Sequence, residues 1–517
     1  MMTSRTNLAF KNVFVTTLVN ILTFPLQFIN RYYMIHYLGI TYLGITSLYA
    51  NILSVLSLAD LGIGTAIVFL LYKPLAQNNK RKIAILMHYY KKIYRFICFI
   101  ILTLGLLFIP FLHYLLHSYV NYPHVYLIFI IYLLGTSSSY LFSYNQSLLY
   151  ADQKNRIYSW YNLAVCYIMI IFQIITVRIF KDPVLYATLF VFTGFITNIF
   201  VSLYVKKIYH LKYPKKGKLS LIERKELKAN VFGNMIMRIS GVIVTGTDNI
   251  LLSVFTTVIQ VGLYANYTTI TNIISQLMTQ IISASTGSIG NFIVSKSSKE
   301  SKQLFYNLQY INFLILNLAV LGILFLSKDV ITLWLGKKYV LSPLNTILIA
   351  ISFFVMNYRM LGWSFIAIYG LSKYMKLFSI SELCVNLIAS FAFLKFFHLG
   401  VTGVILGTIL STISTVSWQD PYIIFHHGFR SSIRGYFQQY TLNILIFLTE
   451  LFVLSGLNSY FEKSIKSSLL HFIIMLILIL IVGVILPNIF YFKKREQKYL
   501  IFLLKKCIGI CFKQNNL

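Results

Sequence analysis

The sequence predicts an all-α integral membrane protein with about fourteen transmembrane helices, and three observations indicate this class. Of the 517 residues, 58% are hydrophobic and only 11% are charged, whereas soluble domains carry roughly 25% charged residues. The hydrophobic residues form runs long enough to cross a bilayer, which takes about 20 residues of helix. The basic residues are concentrated in alternate loops between those runs. Together these features exclude a soluble enzyme with a membrane tag, a disordered chain and a secreted disulfide scaffold.

The predicted spans are apolar segments separated by short polar turns. Several exceed the length that a bilayer requires, which predicts tilt, kinks or helix ends that stand in water. The first segment is far too long for the apolar region of a signal peptide, so we expect it to be retained as a span. The approximate limits are 8–37, 42–72, 93–116, 122–150, 158–179, 184–206, 229–256, 262–294, 303–327, 343–371, 375–396, 400–427, 438–457 and 467–492.

The distribution of Lys and Arg predicts the orientation, because positively charged loops stay in the cytoplasm. With the N-terminus inside, thirty-four of the 45 basic residues fall on the cytoplasmic side and eight fall outside. Both termini are therefore predicted to be cytoplasmic. The net charge of +32 requires an anionic partner surface, and anionic membrane lipids account for it. Nucleic acid is not expected as a partner, since the sequence contains no soluble basic domain.

The first six spans resemble the second six. Gly44 and Tyr49 recur as Gly262 and Tyr267, in both cases 218 residues later. A six-span unit starts and ends on the same side of the membrane, so two copies have the same orientation and can alternate access by rocking. The predicted organisation is a six-helix bundle at 1–209, a basic cytoplasmic linker at 210–228, a second six-helix bundle at 229–427, two additional spans at 428–492 and a cytoplasmic amphipathic tail at 493–517.

Charged residues inside the spans are candidates for function, because a charge at mid-membrane costs roughly 2.5–3.5 kcal/mol even on lenient scales. Arg31, Arg238 and Arg359 are predicted to face a water-accessible cavity, where guanidinium groups match the geometry of phosphate. Two alternatives stay open. Arg31 lies near the outer end of its span and could snorkel to the interface, and the other two arginines could form structural ion pairs with acids. The candidate acids are Asp60, Asp248 and Glu382.

Five residues in the first, second and seventh spans are candidates for hinges. A proline inside a helix removes one backbone hydrogen bond and kinks the helix, and glycines permit bending or close approach. Ordinary helix packing, which small residues favour, is the alternative explanation for the glycines. The candidates are Pro25, Gly62, Gly64, Gly241 and Gly246.

No pattern in the sequence predicts a metal site or a catalytic site. The five cysteines show no C-x-x-C and no metal-ligand spacing. Cys507 and Cys511, four residues apart in the tail, could carry a lipid or a metal, or simply lie on an apolar helix face. The sequence also lacks H-E-x-x-H, G-x-S-x-G and Walker motifs. We therefore expect a protein that is not an enzyme.

Four segments carry a family resemblance. They are Leu58-Ala-Asp-Leu-Gly-Ile-Gly-Thr-Ala-Ile67, Leu71-Tyr-Lys-Pro-Leu-Ala76, Leu148-Leu-Tyr-Ala-Asp-Gln-Lys-Asn-Arg156 and Gly246-Thr-Asp-Asn-Ile-Leu-Leu252. Together with the span count, the orientation and the repeat, they resemble the Wzx-type repeat-unit flippases of bacterial polysaccharide synthesis. These flippases belong to the multidrug/oligosaccharidyl-lipid/polysaccharide (MOP) superfamily.

The resemblance implies a MOP/MATE-like fold and a function in the bacterial cytoplasmic membrane. The implied activity moves an undecaprenyl-pyrophosphate-linked oligosaccharide repeat unit across the membrane by alternating access, for capsule, O-antigen or exopolysaccharide synthesis. It assigns the pyrophosphate and sugars to a cationic cavity with Arg31, Arg238 and Arg359, and the lipid tail to a groove in the last two spans. A proton or sodium gradient would drive the cycle without another cofactor, with Asp60 and Asp248 as coupling or pairing acids. A polysaccharide polymerase and glycosyltransferases are candidate partners.

Two other functions stay open at this point. A MATE-like cation or drug antiporter shares the twelve-span core, but it would be expected to carry several acids deep in its first lobe, where Asp60 is nearly alone. A membrane polysaccharide polymerase would need a catalytic constellation on a sizeable loop, and the predicted outer loops are short. Both are less consistent with the sequence than a flippase.

Overall fold

The computed structural model describes residues 5–57, 63–116, 121–210, 246–465 and 467–514, and these residues are almost entirely α-helical. The helices of the N-terminal half are α1 (Arg5–Leu56), α2 (Ile63–Ala76), α3 (Lys80–Phe108), α4 (Leu112–Leu116), α5 (Val125–Ala151), α6 (Asn155–Ile179), α7 (Pro183–Tyr209) and α8 (246–255). The remaining helices are α9 (Val258–Ser295), α10 (Ser298–Trp334), α11 (Pro343–Tyr358), α12 (Met360–Ile368), α13 (Met375–Lys395), α14 (Val401–Ser414), α15 (Val416–Ile423), α16 (Arg434–Ser464), α17 (Ser468–Phe490) and α18 (Arg495–Gln514).

The helices form two compact units. The first comprises Met1–Ala265 and Ser390–Val404, and the second comprises Asn266–Ala389 and Ile405–Leu517. In the first unit α5 packs on α3 and α7, and α6 packs on α1 and α7. In the second unit α10 is central and packs on α11, α16, α17 and α18. The domain boundaries predicted from the sequence stay predictions.

Eleven helical segments in the described part of the chain are long and apolar enough to cross a membrane. The all-α membrane fold is therefore confirmed, whereas the count of fourteen is not. Three differences separate the two numbers. The first predicted span and the start of the second are continuous across the kink at Gly39 and count as one segment, Phe14–Leu56. Most of the seventh (229–256) lies outside the described residues, and the eighth corresponds to α9, which is less apolar than the others.

Helix α1 consists of two helical segments that meet at a kink at Gly39, between the first two predicted spans. Gly39 is the residue of α1 with non-helical dihedral angles, at φ 85° and ψ 167°, a region that is open almost only to glycine. It lies in the predicted turn between the two spans. The hinge candidate Pro25, in contrast, is accommodated inside the helix.

Replacing Gly39 with alanine is expected to lower the free energy of unfolding by about 1–3 kcal/mol through backbone strain. Steric overlap does not contribute, since a Cβ at this position would meet no atom within 4 Å. Thermal unfolding of the purified protein in detergent measures the effect. Gly194→Ala is the matched control, because that position is equally open but helical, and an equal loss in both variants would contradict the explanation.

Helix α3 begins at Lys80, thirteen residues before the predicted limit at 93. The side chain of Asn79 accepts a hydrogen bond from the backbone nitrogen of Lys82 at 3.0 Å and caps the helix. One face of the added turns is buried through Ile83, Met87 and other residues, while the basic residues occupy the opposite face. The predicted span followed the apolar run alone and so did not include this amphipathic first part of the helix.

Two tyrosines of the predicted repeat make corresponding hydrogen bonds within their own units. The hydroxyl of Tyr49 donates to the carbonyl oxygen of Val125, at the start of α5, at 2.9 Å. The hydroxyl of Tyr267 accepts from the backbone nitrogen of Leu341, just before α11, at 3.1 Å. Through this hydrogen bond, each tyrosine connects the second helical segment of its repeat with the beginning of the fourth.

Candidate functional site

Arg31, the predicted cavity arginine of the first unit, points into the protein. Its Nη1 donates to the carbonyl oxygen of Ala265 at 2.9 Å, and the guanidinium lies beside Tyr132 and Tyr186. The preceding residue, Asn30, donates from Nδ2 to Oε1 of Gln173 at 2.7 Å. The side chain thus occupies a polar, aromatic environment inside the unit rather than extending away from it. Its role in binding substrate stays a prediction.

Arg359 lies in the second unit at the junction of α11 and α12, where it is buried against two carboxylates. Its Nε donates to Oδ2 of Asp420 at 2.8 Å, and its Nη1 donates to Oε1 of Glu382 at 2.9 Å. The indole nitrogen of Trp363 also donates to Oδ2 of Asp420 at 2.9 Å, and its ring lies 4.5 Å from the guanidinium carbon. The Arg359 site is therefore a three-residue ion-pair cluster covered by an aromatic ring.

The Arg359 cluster has little room for a ligand. The adjoining cavity, which Gln309 and Tyr436 also line, measures about 10 Å³, and even a single water needs roughly 10–15 Å³. Two carboxylates surround one guanidinium, the opposite of the arginine excess predicted for the cavity. Glu382 was among the acids named as possible partners, whereas Asp420 was missed because it lies sixty-one residues further along the sequence. The substrate role of Arg359 also stays a prediction.

The other predicted site residues are only partly covered by the structure. Arg238, Asp60, Gly62 and Gly241 lie outside the described residues. Asp248 is buried beside Tyr264. Gly246 is buried in α8, and a Cβ on Gly64 would lie 3.1 and 3.3 Å from the hydroxyls of two tyrosines of α3. The hinge and coupling roles of these residues stay predictions.

Helix α9 carries a polar face that the sequence analysis missed. Four exposed polar side chains and one exposed glycine follow each other at spacings of three or four residues, so they form one stripe along the helix. The stripe consists of Asn272, Gln276, Thr279, Ser283 and Gly287. The opposite side of α9 is apolar and includes the buried Met278 and Ile289. The spacing is visible in the sequence, but the overall hydropathy of the segment does not reveal it.

The polar face of α9 can form hydrogen bonds but carries no charge. Amide and hydroxyl groups both donate and accept hydrogen bonds, and those of the stripe are uncharged. In hydrocarbon such groups are costly, and polar residues of membrane helices almost always face the protein interior or a water-filled cavity. Uncharged donors and acceptors of this kind suit the hydroxyls of sugars better than a cation. The polar face of α9 is therefore the best candidate for a surface along a hydrophilic transport path.

Comparison with known proteins shows which family the chain belongs to. Residues 9–286, more than half of the chain, match the family model described as polysaccharide biosynthesis protein. The chain belongs to this family. None of the curated proteins matches the chain.

Solved structures similar to this member of the polysaccharide biosynthesis family share its fold. The lipid II flippase MurJ in an inward closed conformation has a TM-score of 0.62 at 15% identity, and the match covers 92% of this chain and 99% of MurJ. An inward-facing multidrug resistance MATE transporter of the MOP superfamily has a TM-score of 0.60 at 12% identity, covering 80% of this chain and 98% of the transporter. A MOP superfamily transporter from Pyrococcus furiosus has a TM-score of 0.51 at 11% identity, covering 84% and 100%.

The family match and the shared fold bear out the predicted resemblance to the Wzx-type flippases and the predicted MOP/MATE-like fold. The chain is an integral membrane protein with the fold of transporters and flippases.

Proposed function

We propose that this protein is a flippase that moves an undecaprenyl-pyrophosphate-linked oligosaccharide repeat unit across the bacterial cytoplasmic membrane, with both termini in the cytoplasm. The observation that carries the proposal is the match of residues 9–286 to the polysaccharide biosynthesis family, in a chain with the fold of MurJ. The polar face of α9 supports it, because its uncharged amides and hydroxyls suit a saccharide. The concentration of Lys and Arg in alternate loops supports the orientation with both termini in the cytoplasm.

The head group of such a substrate carries two phosphates, and Arg31 and Arg238 are its proposed ligands among the three arginines predicted from the sequence. Arg359 is the weakest candidate, because two carboxylates already bind its guanidinium. The lipid tail would remain in the bilayer while the saccharide passes along the polar face of α9.

Deletion of the gene in the source cells tests the activity. We expect surface polysaccharide to be lost and the lipid-linked precursor to accumulate, and we expect the wild-type gene to reverse both effects. Intact polysaccharide with altered export of cationic dyes would instead support a MATE-like antiporter. A loss of polysaccharide without accumulated precursor would point to an earlier step of synthesis.

Leucine in place of Asn272 and Gln276 is expected to lower transport about tenfold or more while leaving the fold intact. Each lost hydrogen bond is worth about 0.5–1.5 kcal/mol, and a loss of about 1.4 kcal/mol changes a rate or an equilibrium tenfold. Accumulated lipid-linked precursor measures the defect, and the amount of protein in the membrane measures folding.

The matched control for this pair is Ser455→Leu with Ser459→Leu on α16, which also adds two leucines to a membrane helix. We expect the control to transport normally. Normal transport by the α9 variant, or equal defects in both variants, would contradict a role for the polar face of α9.

A further inference from the structure

A carboxyl group in the second unit is buried without a cation. Glu450 lies near the middle of α16 and is fully buried, and so is Asn317 near the middle of α10. Nδ2 of Asn317 donates to Oε2 of Glu450 at 2.7 Å. Among the described residues, Glu450 forms no ion pair. The observed polar contact of this buried carboxyl group is thus a hydrogen bond from an uncharged amide.

One oxygen atom of each of these two side chains lacks a hydrogen-bond donor. Oε1 of Glu450 and Oδ1 of Asn317 are both buried, and neither has a hydrogen-bond partner among the described residues. A carboxylate oxygen and an amide oxygen can only accept hydrogen bonds, so an ionised Glu450 leaves both atoms unsatisfied. A proton on Oε1 supplies the missing donor. The protonated carboxyl and the amide can then exchange two hydrogen bonds and satisfy all four polar atoms.

The surroundings of the pair favour the neutral form. The cluster beside it is apolar and consists of Leu321, Leu326, Leu454, Met475 and Ile479. Three titratable pairs lie further along α10, α16 and α17. They are Lys328 with Glu462, Asp329 with His471, and Tyr310 with Asn488. A charge on Glu450 would therefore be desolvated without compensation.

We propose that Glu450 and Asn317 form a proton-binding site, in which the carboxyl group of Glu450 carries a proton and donates it in a hydrogen bond to Oδ1 of Asn317. The proton can leave only when the carboxyl reaches water, which requires that α10 and α16 separate locally. Protonated and ionised Glu450 thus favour different arrangements of the two helices. By linkage, a proton gradient biases the equilibrium between those arrangements. This last step, that the proton drives transport, rests on the proposed flippase function.

The protonation state is tested on the purified protein in liposomes without any substrate. Infrared spectra at neutral pH should show a C=O stretching band of a protonated carboxyl that disappears in Glu450→Gln and shifts in Asn317→Leu. Glu462→Gln is the matched control, since Glu462 lies on the same helix but is half-exposed and paired with Lys328. Identical protonated-carboxyl bands in the wild type and in Glu450→Gln would overturn the proton site.

The coupling is tested in the same liposomes with the lipid-linked saccharides extracted from cells that lack the gene. A pH gradient of about one unit, a tenfold ratio of proton activity, should change the flipping rate of the wild type and of Glu462→Gln. Glu450→Gln, which mimics the protonated acid, should bind these saccharides but flip them at a rate that the gradient does not alter. A gradient effect retained in Glu450→Gln would overturn the coupling. If the wild type flips nothing, the proposed function fails, and the infrared band still decides the proton site.

Discussion

Gly44→Ala is expected to destabilise the first unit severely, because the residue faces the backbone of another helix. A Cβ at this position would lie 2.0 Å from the carbonyl oxygen of Val258, and a backbone atom cannot move aside as a flexible side chain can. The reciprocal contact involves the repeat partner, since a Cβ on Gly262 would lie 2.7 Å from the carbonyl oxygen of Ile40 and 3.2 Å from the nitrogen of Gly44. We expect a loss at or above the upper end of the roughly 1–3 kcal/mol that overpacking costs.

The amount of folded protein in the membrane and its thermal unfolding in detergent measure this loss. Gly262→Ala should show a smaller defect in the same direction. Gly287→Ala is the control on the same helix as Gly262, because a Cβ there meets no atom within 4 Å, and it should be neutral. A wild-type melting temperature for Gly44→Ala would show that α1 and α9 do not pack as described.

Arg359→Ala is expected to cost about 3–5 kcal/mol, the range for breaking a buried ion pair. The substitution leaves the carboxylates of Glu382 and Asp420 together in a buried site without their cation. Thermal unfolding measures the loss. A neutral triple variant, Arg359→Met with Glu382→Gln and Asp420→Asn, should recover most of the stability because it removes all three charges.

The same triple variant separates a structural role of Arg359 from a role in binding substrate. Because two acids already bind the guanidinium, we expect surface polysaccharide to return together with stability. A stable triple variant that still accumulates lipid-linked precursor would contradict this expectation and identify Arg359 as a substrate ligand. The role of Arg31 can be examined with Arg31→Lys and Arg31→Gln in the same assay.

The elements of the fold were largely predictable from the sequence because the bilayer imposes a length and a hydropathy on each span. The helices α5, α6 and α7 begin and end within three residues of the predicted limits. The start of α3 was not predicted, since the turns from Lys80 lie outside the apolar run and are held by an N-cap and one buried face. The kink at Gly39 lies in the predicted turn between the first two spans, but the sequence did not indicate that a single glycine with positive φ takes the place of a loop there.

The candidate sites were harder to predict, since they depend on contacts between residues that are distant in sequence. Hydropathy and charge identified Arg359, but only the fold brings Asp420 to it. Glu450 was not among the acids that the sequence identified, and its significance appears only when Asn317 and the two unsatisfied oxygens are placed together. The polar face of α9, in contrast, consists of polar residues spaced three or four apart, and this helical period can be recognised in the sequence.

Reconstitution is the direct test of whether this chain moves a lipid-linked saccharide between membrane leaflets. Purified protein is inserted into liposomes that contain the lipid-linked saccharides extracted from cells that lack the gene. The fraction of saccharide accessible from one side to an impermeant saccharide-oxidising or saccharide-cleaving reagent is then followed with time. We expect the wild type to make the protected fraction accessible and the variant with leucine at Asn272 and Gln276 to do so about tenfold more slowly. A protected fraction that stays the same with and without the wild-type protein would contradict the proposed flippase function.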